Sequence, residues 1–529
     1  MWQGILDKTA QIKRSALIVF CVLWIPAISL WVTTPPLWRD TDSWHQLTSP
    51  PNMATLIHFG PAYCFGIRGP MWVGTVLGAA LGQNEMPKAD FFRRPVLTDA
   101  GILAALVVQQ ALLVGALTLL ICAASSQPGV RLFLTALALT QIPLYLYAHC
   151  PSTETLTIPL ILALTALLRW IGDKDRLNPW IWLGYFGLLL IAILTRHPNA
   201  VLAAVLPGYF LLQLAITRLR SGPVPWRTWT KPFALAVVVG LITVIAAQGL
   251  NRLFCWSANQ LYRSSAGYTL QWKLGYMSEM TPEVRRAYWE SVLGPNRATE
   301  FSPLILGINP DGFKKEGFWI PRTSFLQVQA EVAKQNPTMK KSETAALAEQ
   351  ELNALVKPFL LRGGQPYWES VRYDFLQGFT WAPSAIVNQL VENTAYYFDE
   401  NLRADPRYTS IFELASFRNK DGVSVRAQYW SNPLFHWFPY WLPAHWVYLL
   451  VALVLTGGLI ASRDPAAWNA AAVVLSLLAA SLVLWFLTKL LTQNLPRFAS
   501  PLYTALVAMV LYGAGQLMTM WTGRGSRSG

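Results

Sequence analysis

Arg39-Asp40-Thr41-Asp42-Ser43-Trp44-His45 packs more reactive chemistry into seven residues than any other part of this chain. Two carboxylates one residue apart can accept a proton from a hydroxyl or hold a divalent cation, and Arg39 and His45 beside them suit an anion such as a lipid-borne phosphate. The heptad follows closely on an apolar run from Ser15 to about Thr33. It therefore stands at a bilayer surface, where charge is costly to place for structure alone. An unperturbed Asp, with a pKa of about 3.9, is ionised near neutral pH and can act as a base. The plainer reading is a hydrated interfacial loop.

Four further polar clusters lie at ends of apolar runs: His58-Phe59-Gly60-Pro61, His149-Cys150-Pro151-Ser152-Thr153-Glu154, Arg196-His197-Pro198-Asn199 and Leu495-Pro496-Arg497-Phe498. Arg196 and Arg497 are the candidates for holding a donor phosphate, with Arg39 and His45 in reserve. His58, His149, Glu154 and His197 are candidates for contacting the rest of a substrate. Each has a bland alternative. Glu154 also suits the N-terminus of a span, Arg196 and Arg497 suit snorkelling anchors, and His149 and His197 can satisfy turn carbonyls. Their joint placement at one membrane boundary favours a site.

The elements that position these residues are apolar helices. Of 529 residues, 53% are hydrophobic and only 13% charged, about half the charged fraction of a soluble protein. Ten spans are predicted near 15–34, 97–122, 131–149, 153–170, 179–195, 199–217, 232–250, 442–461, 468–487 and 498–520. The net charge of +14 does not indicate nucleic acid, because the Lys and Arg residues sit largely in short loops between apolar runs. With the N-terminus in the cytoplasm, Arg131, Arg169, Lys174, Arg176, Arg218, Arg220, Arg227, Lys231, Arg463, Arg524 and Arg527 fall inside, a positive-inside pattern. Met71–Leu81 is apolar but too short to span, and reads as interfacial or re-entrant. No small-residue cleavage site follows the first run, so it is expected to remain as an anchor.

Three blocks result: a membrane module over 1–250 with its acidic loop at 35–96, an outer soluble segment over 251–441, and a membrane module over 442–529. Within the outer segment, 281–293, 324–335, 342–361 and 383–399 are predicted helices. The five cysteines form no metal-ligand spacing. No Asn-x-Ser/Thr acceptor lacking proline occurs, which favours a bacterial inner membrane.

With these motifs in place, the chain resembles the GT-C superfamily, polytopic glycosyltransferases that use polyprenyl-phosphate sugars. Its first outer loop with Asp40 and Asp42, the following Pro50-Pro51 and His58-Phe59-Gly60-Pro61, the turn Leu194-Thr195-Arg196-His197-Pro198-Asn199 and the late Pro496-Arg497-Phe498-Ala499-Ser500-Pro501-Leu502 carry the likeness. The segment 251–441 matches nothing in it. The resemblance implies an all-α polytopic membrane fold of about ten transmembrane helices, to which the apolar spacing within 251–441 adds a mainly helical extracytoplasmic domain. It also implies inverting transfer to a glycan, lipid or protein acceptor. Asp42, beside Trp44 and His45, resembles the acidic motif of oligosaccharyltransferases, and Asp40 fits the sugar-transferring branches. Some members of the superfamily use Mg²⁺ or Mn²⁺, which Asp40 and Asp42 would hold here. Two competing readings are a ligase or polymerase of preassembled lipid-linked oligosaccharide, and a non-catalytic transporter or flippase.

Overall fold

The computed structural model describes residues 2–38, 41–48, 60–172, 178–222, 225, 227–257, 266–300, 320–396, 398, 423–492 and 495–525. Among these residues the chain is helical throughout, with no strand. Seven helices are long and apolar enough to cross a bilayer, and nine spans result if each of two bent pairs is one span. The remaining predicted span, 179–195, is the shorter apolar helix Pro179–Thr195. All ten predicted positions fall on helix.

Local chemistry sets several of these boundaries. Thr98 caps Asp99–Ala124 by accepting the Gly101 N–H at 3.0 Å, with Asp99 in the first turn, where a carboxylate meets the positive end of the helix dipole. Asn178 accepts the Trp180 N–H ahead of Pro179 in the same manner. The third predicted span is broken: Pro128–Leu139 and Ile142–Ala148 meet at 66°. Pro143, near the start of the second piece, cannot donate back into the preceding turn. Gln141 at the break has its Oε1 2.9 Å from the Tyr448 hydroxyl and 2.7 Å from that of Tyr503.

Helices exposing apolar faces need hydrocarbon, not water, around them. Leu241, Ile242 and Ile245 stand out from the helix Arg227–Ser257, and Leu17, Ile25 and Ile28 from Trp2–Thr33. Small residues bring other helices together. Arg68–Ala80, which contains most of the Met71–Leu81 segment, is 13 residues long, about 20 Å, and so is too short to span. It lies against Asp99–Ala124, where a Cβ on Gly74 would come within 2.2 Å of Ala100 O. No disulfide joins the cysteines.

By their internal contacts the residues divide into two compact units. One comprises Met1–Gln260, Thr380–Leu484 and Ala499–Gly529; the other comprises Leu261–Phe379 and Trp485–Phe498. The predicted outer segment 251–441 is thus shared between them, and the helix Pro383–Ala395 belongs with the membrane helices. The second unit contains Pro282–Leu293, Ile320–Gln335 and Lys341–Arg362, close to where their apolar spacing predicts helices. Trp289, Phe359, Tyr367, Leu352 and Met277 fill its core.

Candidate active site

The loop that leaves the first helix is held at each residue before the acidic motif. The Leu37 N–H donates to His149 O at 3.0 Å. The Trp38 N–H donates to Thr394 Oγ1 at 2.8 Å, and that hydroxyl lies 3.0 Å from Trp38 O. Pro35 and Pro36 offer only carbonyls, and the Tyr429 hydroxyl reaches both, at 2.9 and 2.8 Å. His149 Nε2 is 3.1 Å from Pro35 O; a carbonyl can only accept, so this nitrogen carries the proton. His149 is buried, and in this position it anchors the loop.

Past Trp38, the helix Thr41–Thr48 carries Asp42 in its first turn and His45 in its second. Ser43 and Gln46, three residues apart and therefore on one face, are both buried. The Ser43 hydroxyl donates to Pro151 O at 2.7 Å, and Gln46 Oε1 accepts the Thr153 N–H at 3.2 Å. These two bonds lock the acidic helix to the turn that leads into Glu154. The side chains of Asp42 and His45, and the whole of Arg39, Asp40 and His58, lie outside the described residues.

Further hydrogen bonds brace the turn itself. Thr155 Oγ1 reaches Cys150 O at 2.7 Å, and Gln109 donates from Nε2 to Ala148 O at 3.1 Å while its Oε1 accepts from the Tyr63 hydroxyl at 2.8 Å. Glu154 is fully buried at the start of Thr153–Gly172, and its Oε1 lies 3.4 Å from Arg196 Nη1. The Thr153 hydroxyl is 3.3 Å from the other carboxylate oxygen. Arg196 keeps 20% of its side chain exposed, so it can meet a ligand as well as Glu154.

The Arg196 turn is braced from several sides. Asn199 Nδ2 donates to Ala192 O at 2.8 Å, and His197 Nδ1 lies 3.4 Å from Asn251 Nδ2. Gly60, from the His58 motif, has φ +79° and rests on the backbone of Leu194, where a Cβ would come within 2.2 Å of Leu194 O. Four of the five sequence clusters therefore meet in the first unit. The fifth belongs to the second unit: Arg497 sits in the 3₁₀ turn Pro496–Ala499, and its side chain is outside the described residues.

Sequence reasoning missed the neutral residues that build this arrangement: Ser43, Gln46, Gln109, Thr394 and Tyr429. Gln109 alone left a signal, as an amide within an otherwise apolar run. Among the described residues no group of three or more His, Cys, Asp or Glu side chains is arranged to hold a metal ion.

The Glu154–Arg196 pair gives a measurable coupling. Glu154→Gln and Arg196→Gln are each expected to lower stability, and their double-mutant cycle in thermal unfolding to yield an interaction of about 1–3 kcal/mol. Additive effects would mean that the pair contributes nothing.

No known family model matches the chain, and neither does any curated protein. One solved structure aligns with it: ArnT from Cupriavidus metallidurans in the apo state, over 97% of this chain and 78% of that one, with 13% identity and a TM-score of 0.29. A likeness of that size carries no argument. The functional reading rests on the residues.

Proposed function

We propose that this chain is an integral membrane glycosyltransferase of the GT-C type. It moves a sugar from a polyprenyl-phosphate donor to a glycan, lipid or protein on the extracytoplasmic face of a bacterial inner membrane, with both termini in the cytoplasm. One observation carries the reading: Ser43 and Gln46 fasten the helix bearing Asp42 to the turn bearing Glu154, which pairs with Arg196. Four short polar motifs remote in sequence thus converge beside the ends of apolar helices.

In this proposal Asp42, or else Asp40, takes the proton of the acceptor hydroxyl as its oxygen bonds to the anomeric carbon. The bond from that carbon to the phosphate oxygen breaks in the same displacement, which inverts the configuration. Arg196, Arg39 and His45 receive the developing phosphate charge, each charge-assisted hydrogen bond being worth roughly 1.5–3 kcal/mol. His58, His197 and Glu154 belong to the substrate's surroundings, and His149 acts through the loop that it anchors.

The hard carboxylate oxygens of Asp40 and Asp42 suit Mg²⁺ or Mn²⁺, which would neutralise phosphate oxygens. Chelation separates the two roles of the acidic pair. If a metal belongs to the site, EDTA abolishes transfer and either ion restores it; transfer unchanged by EDTA assigns the pair to proton transfer alone.

The direct test is transfer of labelled sugar from a polyprenyl-phosphate donor by membranes containing the protein, together with mass spectrometry of lipid that co-purifies with it. No transfer and no polyprenyl phosphate would overturn the reading. A second reading is favoured by the break between Pro128–Leu139 and Ile142–Ala148, since broken spans also serve transporters. Transport of a lipid-linked solute into proteoliposomes without transfer would establish it. Transfer of a preassembled oligosaccharide in place of a single sugar would make the protein a ligase.

A further inference from the structure

The helix Gly364–Thr380 divides lengthwise into two faces. Tyr367, Val371, Asp374 and Gly378, at intervals of three and four residues, are buried. The opposite face is apolar where water would call for polar side chains: Trp368, Tyr373 and Leu376 are 42%, 64% and 55% exposed. Glu369 and Arg372 are exposed among them. At 3.6 residues per turn these exposed residues share one side of the helix.

The element beneath the helix indicates what covers that side. Residues 364–379 and the segment Trp485–Leu491 belong to the same unit, and Trp485–Leu491 is the end of Pro465–Leu491, a helix long and apolar enough to cross a bilayer. Trp485 Nε1 donates to Phe375 O at 2.9 Å, and the Tyr367 hydroxyl to Leu490 O at 2.6 Å. Gly378 allows the close approach, because a Cβ there would come within 2.1 Å of the Trp485 ring. Tyr367 thus meets the span near its last residue, while Phe375 and Gly378 meet it more than a turn earlier. From Tyr367 to Gly378 the helix therefore runs back along the span, toward the hydrocarbon.

Aromatic rings extend this contact. Phe375 lies 5.5 Å from Phe379 and 6.0 Å from Phe486, centre to centre. Phe486 and its neighbour Leu487 are themselves exposed, and apolar side chains exposed on a crossing helix are matched by acyl chains as apolar as they are. The apolar side of Gly364–Thr380 is thus continuous with a lipid-facing one. Its other residues suit a boundary: Trp and Tyr pair an apolar body with a polar tip, and Arg372 can lay its stem along apolar surface with its guanidinium among headgroups.

We propose that Gly364–Thr380 is an interfacial helix, with Trp368, Tyr373 and Leu376 seated in the headgroup–acyl boundary of the bilayer beside the end of Pro465–Leu491. The occupant of this face is lipid rather than another protein, because the patch runs unbroken into side chains that already need hydrocarbon. The inference requires only that Pro465–Leu491 crosses the membrane and does not depend on the transferase reading.

The test places the full-length protein in vesicles of phosphatidylethanolamine and phosphatidylglycerol. Benzoylphenylalanine replaces Tyr373, Leu376 or, as a reference, Arg286, which is exposed on Pro282–Leu293 in the same unit. Irradiation joins the probe to whatever C–H bond lies against it. Mass spectrometry is expected to find phospholipid adducts at 373 and 376 in at least fivefold the yield at 286. A lower ratio at either position overturns the proposal, as does crosslinking to a second copy of the chain in place of lipid. Because that probe is itself apolar, Tyr373→Cys, Leu376→Cys and Arg286→Cys give a second measurement. Their alkylation by a charged maleimide is followed at the peptide level, which separates them from the native cysteines. It is expected to be tenfold or more slower at 373 and 376 than at 286, and rates closer than that overturn the proposal.

Discussion

Asp42→Asn is expected to lower sugar transfer by about 10²–10⁴-fold, the range that a positioned general base supplies. Asn keeps the shape of the side chain and removes its ability to take a proton. The loss should therefore fall on kcat, with donor KM changed little. Asp42 is favoured over Asp40 by its neighbours Trp44 and His45. Its place in the first turn of Thr41–Thr48 adds to this, since the dipole of the helix favours negative charge there. Asp40→Asn belongs in the same experiment, because either carboxylate can fill the role. Transfer from a labelled polyprenyl-phosphate donor, normalised to protein in the membrane, is the measurement. Full activity in both variants would remove the proposed base.

Gly60→Ala should cost about 3–5 kcal/mol of stability, although it adds a single methyl group. The backbone at Gly60 has φ +79° and ψ 151°, a region open essentially to glycine, where other residues carry about 1–3 kcal/mol of strain. The new Cβ would also press on a backbone oxygen, Leu194 O at 2.2 Å, with Thr195 O at 3.1 Å. Backbone cannot rotate aside as a side-chain tip does, so overpacking adds about 1–3 kcal/mol more. The atoms displaced immediately precede Arg196. Transfer should therefore fall in whatever fraction of the protein still folds. Thermal stability of Gly60→Ala equal to wild type would show that the contact is slack.

The membrane architecture was legible because its signal is long. Runs of apolar residues near span length leave few alternatives, and all ten predicted positions are helical. The broken third span was not legible, since hydropathy is blind to direction and Gln141 at the break looks like any polar interruption. The gathering of the His149, Arg196 and Gly60 motifs followed from alternating span direction, which places their ends on one side. What remained hidden was the means of gathering. Ser43 and Gln46 bond to Pro151 and Thr153 through single contacts that leave no periodicity. The division of 251–441 between two units is also a property of contacts, with no matching change in composition.

Thr394 and Tyr429 hold the loop Pro35–Trp38 from more than 350 positions downstream. The order of synthesis therefore matters. A ribosome that has delivered the first seven spans has made every one of the four gathered motifs, yet none of the hydroxyls that fasten this loop from outside. Only after about residue 430 leaves the exit tunnel is the clamp on Pro35–Trp38 complete, so a nascent or prematurely ended chain would hold its acidic helix by the Ser43, Gln46 and His149 bonds alone.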